Sequence, residues 1–209
     1  MRRYPTPKRV LDKVVSVVLL VLLAPVFAVV VAAMGLDMLM RRGDRGPLLY
    51  RERRISRGRE FDLLKFRTLR RLVIDDMAAD SHARMHEADE ENLTWAGRRV
   101  LKPWYLDELP QLWNVFRGDM SLVGPRPWPP SMVANQVANG FTYRDEFIAG
   151  WTGPAQVEKG ATESAGYAAL DVAYVEQCGT SRAWTIVRSD LAILWRTLGV
   201  MARGEGLRF

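Results

Sequence analysis

VVSVVLLVLLAPVFAVVVAAMGL, residues 14–36, is the stretch that decides how this chain folds. It is apolar almost throughout, with Ser16 and Pro25 as its main interruptions, and its length suits a helix embedded in a bilayer. Both flanks are basic. Arg2, Arg3, Lys8, Arg9 and Lys13 precede the run, and Arg41, Arg42, Arg45, Arg51, Arg53, Arg54, Arg57 and Arg59 follow it. Each set prefers the cytoplasmic side, so a straight spanning helix would leave one of them on the disfavoured face. A re-entrant hairpin satisfies both. Pro25 lacks an N–H and clashes with the carbonyl of Val21, which supplies a place for the helix to turn. A plain spanning anchor stays open as the alternative, because proline kinks also occur in helices that cross. A secretory leader fits less well: the apolar run exceeds the usual leader core and has no clear small-residue cleavage site.

At 209 residues the chain has room for one ordinary domain and a short appendage. The expected division is a membrane helix-break-helix over residues 1–40 and a catalytic domain over residues 41–209. The formal net charge of +6 favours anionic partners, whether nucleic acid, acidic headgroups or phosphorylated substrates. The single cysteine, Cys178, excludes an intrachain disulfide. His82 and His86 are spaced to meet on one helix face, but no third histidine or further cysteine completes a zinc site.

Beyond the apolar run, residues 37–46 read as a basic connector. Leu48, Leu49 and Tyr50 start a short strand, the charged stretch 56–59 makes a turn, and residues 61–69 read as a second extended run. Residues 74–92, rich in Asp, Glu, Ala and Met, lack an apolar stripe and read as a solvated helix or loop. In LDELPQLWNVFR, residues 106–117, Pro110 is tolerated only at the start of a helix. That register puts Asp107 and Glu108 at or just before the helix N-terminus, turns Leu112, Val115 and Phe116 to a core, and ends the helix at Gly118. Residues 184–203 mix Ile186, Leu191, Leu194, Trp195 and Leu198 with arginines, so this helix suits a membrane surface or a protein core equally.

An acidic pair at a helix start is ordinary capping when it stands alone. Here it has company. In GDMSLVGPRPWPP, residues 118–130, Arg126 stands between Pro125 and Pro127, so a stiff backbone presents a guanidinium suited to gripping two phosphate oxygens. Lys65 and Arg67 add positive charge among hydrophobic residues, where charge without a purpose is costly. Snorkelling to the surface is the plainer explanation for both.

KRVLDKVVSVVLLVLLAPVF (8–27), GPLLYRERRISRGREFDLLKFRTL (46–69), YLDELPQLWNVFRGDMSLVGPRP (105–127), GWTGPAQV (150–157) and LDVAYV (170–175) together resemble, in order, the bacterial sugar transferase family, the monotopic phosphoglycosyl transferases. The resemblance implies a predominantly helical α+β fold: a re-entrant membrane helix broken at Pro25, joined to a small catalytic domain with short strands and amphipathic interfacial helices. It implies a cytoplasmic-face location on the bacterial inner membrane, among bilayer lipids. It implies that Asp107 is the nucleophile, attacking a UDP-sugar at the sugar-bearing phosphorus, expelling UMP and passing the phosphosugar to polyprenyl phosphate. Covalent catalysis divides a hard transfer into two easier ones. Mg²⁺, held by Asp107, would offset the repulsion between carboxylate and diphosphate. Glu108 would tune or orient the nucleophile and metal. Lys65, Arg67 and Arg126 would stabilise phosphate charge, and Arg144, six residues before Gly150, is a further binding candidate.

Two stretches depart from the family pattern. Lys102, Pro103, Trp104 and Tyr105 stand where an arginine-rich run with Thr-Ser is common, and residues 149–154 rearrange the usual Gly-Ile-Thr-Gly-Trp segment. These departures motivate an alternative, a catalytically inactive member serving as a membrane scaffold for glycan assembly. A tethered nucleic-acid binder rests on charge alone and has no recognisable module, so no nucleic-acid partner is expected. Nothing in the sequence encodes the sugar, the polyprenol or the oligomeric state.

Overall fold

A computed structural model describes residues 4–77, 83–158 and 164–202. The chain is mostly helical with a few short strands, in this order. Helices α1 (Thr6–Leu22) and α2 (Ala24–Met40) lead to strands β1 (Leu49–Ser56) and β2 (Arg59–Phe66), then to the short helices α3 (Arg71–Asp76) and α4 (Ala83–His86). After turns of tight and wide helix come α5 (Gln111–Arg117), β3 (Ser121–Val123), α6 (Pro130–Ala138), α7 (Tyr143–Glu146) and β4 (Gly150–Thr152). Helices α8 (Pro154–Val157), α9 (Ser164–Thr180) and α10 (Ala183–Ala202) close the chain.

These elements form two compact units: residues 1–18, 53–61 and 112–209, and residues 19–52 and 62–111. The β1–β2 hairpin contributes its tip to the first and its base to the second. Its two-residue turn puts both Arg57 (φ 55°) and Gly58 (φ 69°) in the left-handed region, the geometry whose twist matches paired strands.

The first unit is organised by polar residues buried on α1. Lys8, Asp12 and Ser16 recur at helical spacing and are all buried. The Lys8 ammonium donates to Asp190 Oδ2 at 2.7 Å and to the Val123 carbonyl at 2.9 Å, and the Tyr174 hydroxyl donates to Asp190 Oδ1 at 2.6 Å. Asp12 accepts from the Tyr4 hydroxyl, from Ser121 Oγ at 2.7 Å and from the Leu122 N–H at 3.0 Å. Buried charges persist only when paired and hydrogen-bonded in this way. Their apolar neighbours Val10, Val14, Val17 and Val18 are exposed, so this helix is inverted relative to one in a water-soluble protein. Strands β3 and β4 pair in parallel, Ser121 with Gly150 and Val123 with Thr152. Helix α5 ends in a Schellman motif at Gly118 (φ 87°), whose N–H bonds the Val115 carbonyl while that of Asp119 bonds Asn114.

In the second unit Val30, Met34, Phe66, Ala96, Leu101 and Leu109 make the main core, with Phe27 against Phe66 at 5.6 Å between ring centroids. A smaller cluster joins Leu69, Ala83 and Leu93. Helix α2 also exposes its apolar side: Val29, Val31, Leu36, Leu39 and Met40 face outward while Asp37 is buried. The Ala96 N–H donates to the Asp37 carboxylate at 2.9 Å, which is why α2 continues through Asp37 to Met40 where a connector was expected. No single described helix is long and apolar enough to cross a membrane, but α1 and α2 meet that test together, bent by 58° at a break of at most four residues. The only residue between them is Leu23, two before Pro25.

Strand β1 runs further than the apolar triplet at residues 48–50 predicts, because its inward positions are Glu52, Arg54 and Ser56. Pairing makes that possible: within the second unit, Glu52 stands 3.4 Å from the Lys65 ammonium and accepts from the Ala83 N–H at 3.1 Å.

Candidate active site

Asp107 lies in the second unit on a single tight turn, Leu106–Glu108, just ahead of Pro110 and α5. Tyr105 before it adopts a left-handed conformation (φ 54°) and breaks the helical path, so the acidic pair starts a new turn instead of continuing the old one. The Asp107 side chain is 4% exposed. Its Oδ2 faces the Lys102 ammonium at 3.1 Å, and the same ammonium reaches Glu87 Oε2 at 2.6 Å. Glu87 also accepts from Thr68 Oγ1 at 2.6 Å.

These charges act on the carboxyl in opposite directions. Burial pushes Asp107 up to about 6. The Lys102 and Lys65 ammonium groups oppose that rise, and Glu108 and Glu87 add to it. Lys102 is itself raised: burial, the largest single influence, works to lower it, and Asp107 and Glu87 together outweigh that. A carboxyl poised near 6 sits close to neutrality while still ionised at pH 7, the condition in which a buried oxygen can act as a nucleophile.

Lys65 thus belongs to the electrostatic surroundings of Asp107, while its nearest carboxylate is Glu52. Arg67 is 2% exposed, and three of its nitrogens donate to carbonyls: Nε to Pro47 at 3.0 Å, Nη1 to Leu69 at 3.0 Å and Nη2 to Asp44 at 2.6 Å. This guanidinium ties the connector after α2 to the strand that carries Lys65. Pro25 lies in the first turn of α2, immediately after the bend.

Arg126 and Arg144 lie in the first unit. Arg126 is half-buried in the loop between β3 and α6. Arg144 is 8% exposed on α7; its Nη2 pairs with Asp171 at 3.0 Å, its Nη1 donates to Gln136 Oε1 at 2.9 Å and to the Tyr143 hydroxyl, and its Nε donates to the Arg126 carbonyl at 3.2 Å. Burial pushes Asp171 up to about 6 against the pull of Arg144. The glycines of the neighbouring GWTG segment are required by close approach: a Cβ on Gly150 would lie 2.1 Å from the Gly124 nitrogen, and one on Gly153 2.2 Å from the Gly124 carbonyl oxygen.

Neither Lys102 nor Glu87 was a site candidate from the sequence. The first stands in a stretch that departs from the family pattern, and the second in one read as solvated; the available signal was the five-residue interval from Lys102 to Asp107, two charges across an interrupted helix. His82 lies outside the described residues, and among the described residues no group of three or more His, Cys, Asp or Glu is arranged to hold a metal. The donors around Asp107 are carboxylate oxygens, which suit a hard divalent cation that takes its other ligands from water or phosphate.

Within the second unit, a buried carboxylate among ammonium groups is equipment suited to handling phosphate esters. The chain matches the bacterial sugar transferase family over residues 3–204 and belongs to that family. It is 35% identical over 200 residues to the UDP-glucose:undecaprenyl-phosphate glucose-1-phosphate transferase of Caulobacter vibrioides, covering 91% of this chain and 68% of the relative. It is 31% identical over 215 residues to the exopolysaccharide production protein ExoY of Sinorhizobium fredii, covering 95% and 87%. With the undecaprenyl-phosphate glucose phosphotransferase of Komagataeibacter xylinus it shares 34% over 203 residues; that match covers 91% of this chain and 35% of the longer relative.

Proposed function

We propose that this protein transfers a sugar phosphate from a UDP-sugar to polyprenyl phosphate, yielding a polyprenyl-diphosphate sugar and UMP. The observation that carries the reading is the Asp107 carboxylate, buried, paired with the Lys102 ammonium that also holds Glu87, and held near 6, in a chain of this family. An Asp107 oxygen attacks the sugar-bearing phosphorus. The bond from that phosphorus to the bridging oxygen breaks, and UMP leaves with that oxygen. An oxygen of polyprenyl phosphate then attacks the same phosphorus and releases the carboxylate. Lys65 and Arg126 are assigned to phosphate charge, Glu108 to tuning Asp107, and Arg67 to holding the connector beside Lys65. Mg²⁺ would be held by Asp107, with water and diphosphate oxygens completing its shell, and would supply neutralising charge.

The partly inverted polarity of α1 and α2 supports a membrane setting: Lys8, Asp12, Ser16 and Asp37 face protein while Val14, Val17, Val18, Val29, Leu36 and Leu39 face outward, as lipid requires. A re-entrant hairpin bent before Pro25 accounts for the 58° break and for basic residues on both flanks. Helix α10 adds Trp184, Leu191, Trp195 and Leu198 along one exposed side, suited to the bilayer interface. The test is UMP release by detergent-solubilised protein given polyprenyl phosphate, Mg²⁺ and a panel of UDP-sugars. Turnover with one donor supports the transferase. Binding of a UDP-sugar with no turnover would instead favour the inactive scaffold, for which the divergent stretches at residues 102–105 and 149–154 are the motivating feature.

A further inference from the structure

The loop after β3 reads Gly124, Pro125, Arg126, Pro127, Trp128, Pro129, Pro130. Prolines have no N–H, so this segment has few donors of its own and cannot fix its shape with internal backbone bonds. Several of its carbonyls, and that of Val123 at the end of β3, are instead gripped from outside. Lys8 Nζ donates to Val123 at 2.9 Å, the Gly150 N–H to Pro125 at 2.8 Å, Arg144 Nε to Arg126 at 3.2 Å and the Ile55 N–H to Trp128 at 3.0 Å. Among these, only Arg144 bonds the peptide of Arg126 itself, and its guanidinium also lies 3.8 Å from the centroid of the Trp128 ring. Asp171 on α9, Gln136 on α6 and the Tyr143 hydroxyl take the remaining fork.

From this arrangement we infer that Arg144 is a positioning residue: anchored by Asp171, it sets the direction in which Arg126 is presented and does not itself bind substrate. The inference rests on the proposed transferase reading for its kinetic consequence but not for its geometry. Flanking prolines restrict the φ angles of this loop, but the orientation of the Arg126–Pro127 peptide still needs an external donor on its carbonyl. Arginine suits the task because one planar group can bond that carbonyl at Nε, stack on Trp128 and pair with Asp171 together. Lysine, a single point charge, keeps the pairing and gives up the other two.

The test is a double-mutant cycle on UMP release with Arg144→Lys and Arg126→Ala. Losing one charge-assisted hydrogen bond lowers kcat/KM by about 10- to 100-fold in the wild-type background. In the Arg126→Ala background the same change costs at most about twofold, because the group being positioned is gone. Equal losses in both backgrounds overturn the inference, since a direct phosphate ligand or a general loss of packing would act independently of Arg126. Amide hydrogen exchange provides a readout free of catalysis: Arg144→Lys speeds exchange at Arg126 and Trp128 while α9 and α10 stay protected, and unchanged exchange in the loop contradicts the inference. Should Arg144→Lys not fold, Gln136→Ala loosens the same guanidinium more mildly and is read by the same cycle, with a loss of about threefold expected only when Arg126 is present. Failure of the wild type to release UMP from any donor counts against the transferase reading alone and leaves the exchange experiment to decide the role of Arg144.

Discussion

Asp107→Asn should abolish UMP release and at the same time make the protein more stable at neutral pH. The carboxyl is 4% exposed, and its folded value of about 6 lies above the ordinary 3.8 because burial penalises the charged form more than Lys102 and Lys65 compensate it. That rise corresponds to about 3 kcal/mol favouring the neutral form. The sign follows from linkage. A group raised on folding contributes stability that is present below its unfolded value and is lost as pH climbs through the folded value. Wild-type stability due to this group therefore falls between about pH 4 and pH 6 and is level above that. Asparagine, always neutral, escapes the fall, so the variant should gain up to about 3 kcal/mol at pH 8 and nothing at pH 3.5. Thermal and denaturant unfolding in detergent, with EDTA present to remove divalent cations, measures the difference across this range. A variant no more stable than wild type at pH 8, or one whose advantage does not change with pH, would refute the reasoning that Asp107 is held in an unfavourable ionised state.

Lys102→Met removes the ammonium between Asp107 and Glu87, so the Asp107 carboxyl rises further and the acid limb of the pH–activity profile moves to higher pH; an unmoved midpoint contradicts the pairing. The same change leaves buried acidic charge uncompensated and should cost about 2 kcal/mol of stability at pH 8, read by denaturant unfolding. Gly150→Ala forces a Cβ to within 2.1 Å of the Gly124 backbone nitrogen, an overlap that rotamer changes cannot relieve; a loss of about 3 kcal/mol or more, or failure to accumulate, is expected. If the bent helix pair enters and leaves through one membrane face, Thr6→Cys and Gly43→Cys, each in a Cys178→Ala background, react with an impermeant maleimide from the same side of oriented vesicles. Labelling from opposite sides identifies a spanning segment.

The parts of the fold that were legible in the sequence are those where one residue type dictates geometry. Gly118 was expected to end α5 and does; Pro110 was expected in its first turn and stands one residue ahead of it. The paired basic flanks and Pro25 anticipated a bend in the apolar run, and the break falls at Leu23. Charge on inward-facing positions was not legible. Lys8 read as part of a basic flank and Asp37 as the start of a connector, and nothing singled out Asp12, Asp171 or Asp190, but each is buried against a partner remote in sequence, such as Asp190 for Lys8 and Ala96 for Asp37. Hydrophobic periodicity finds faces that bury apolar area; it has no means of finding a face whose burial is carried by ion pairs. The site divides the same way. Asp107 stood out because of its motif, whereas Glu87 was hidden because a glutamate in an acidic stretch reveals nothing of the lysine that will meet it. Arg144 stood out as a charge, but its bonds to the Arg126 carbonyl and Asp171 exist only after folding.

The central claim is that Asp107 forms a bond to phosphorus. Intact-mass measurement of the protein after incubation with a turned-over UDP-sugar and Mg²⁺, with no polyprenyl phosphate, tests it most directly. The account predicts a mass gain equal to one phosphosugar, mapped by peptide fragmentation to Asp107, with one equivalent of UMP released and both signals lost in Asp107→Asn. An adduct on another residue, or steady UMP release in the Asp107→Asn variant, would contradict it.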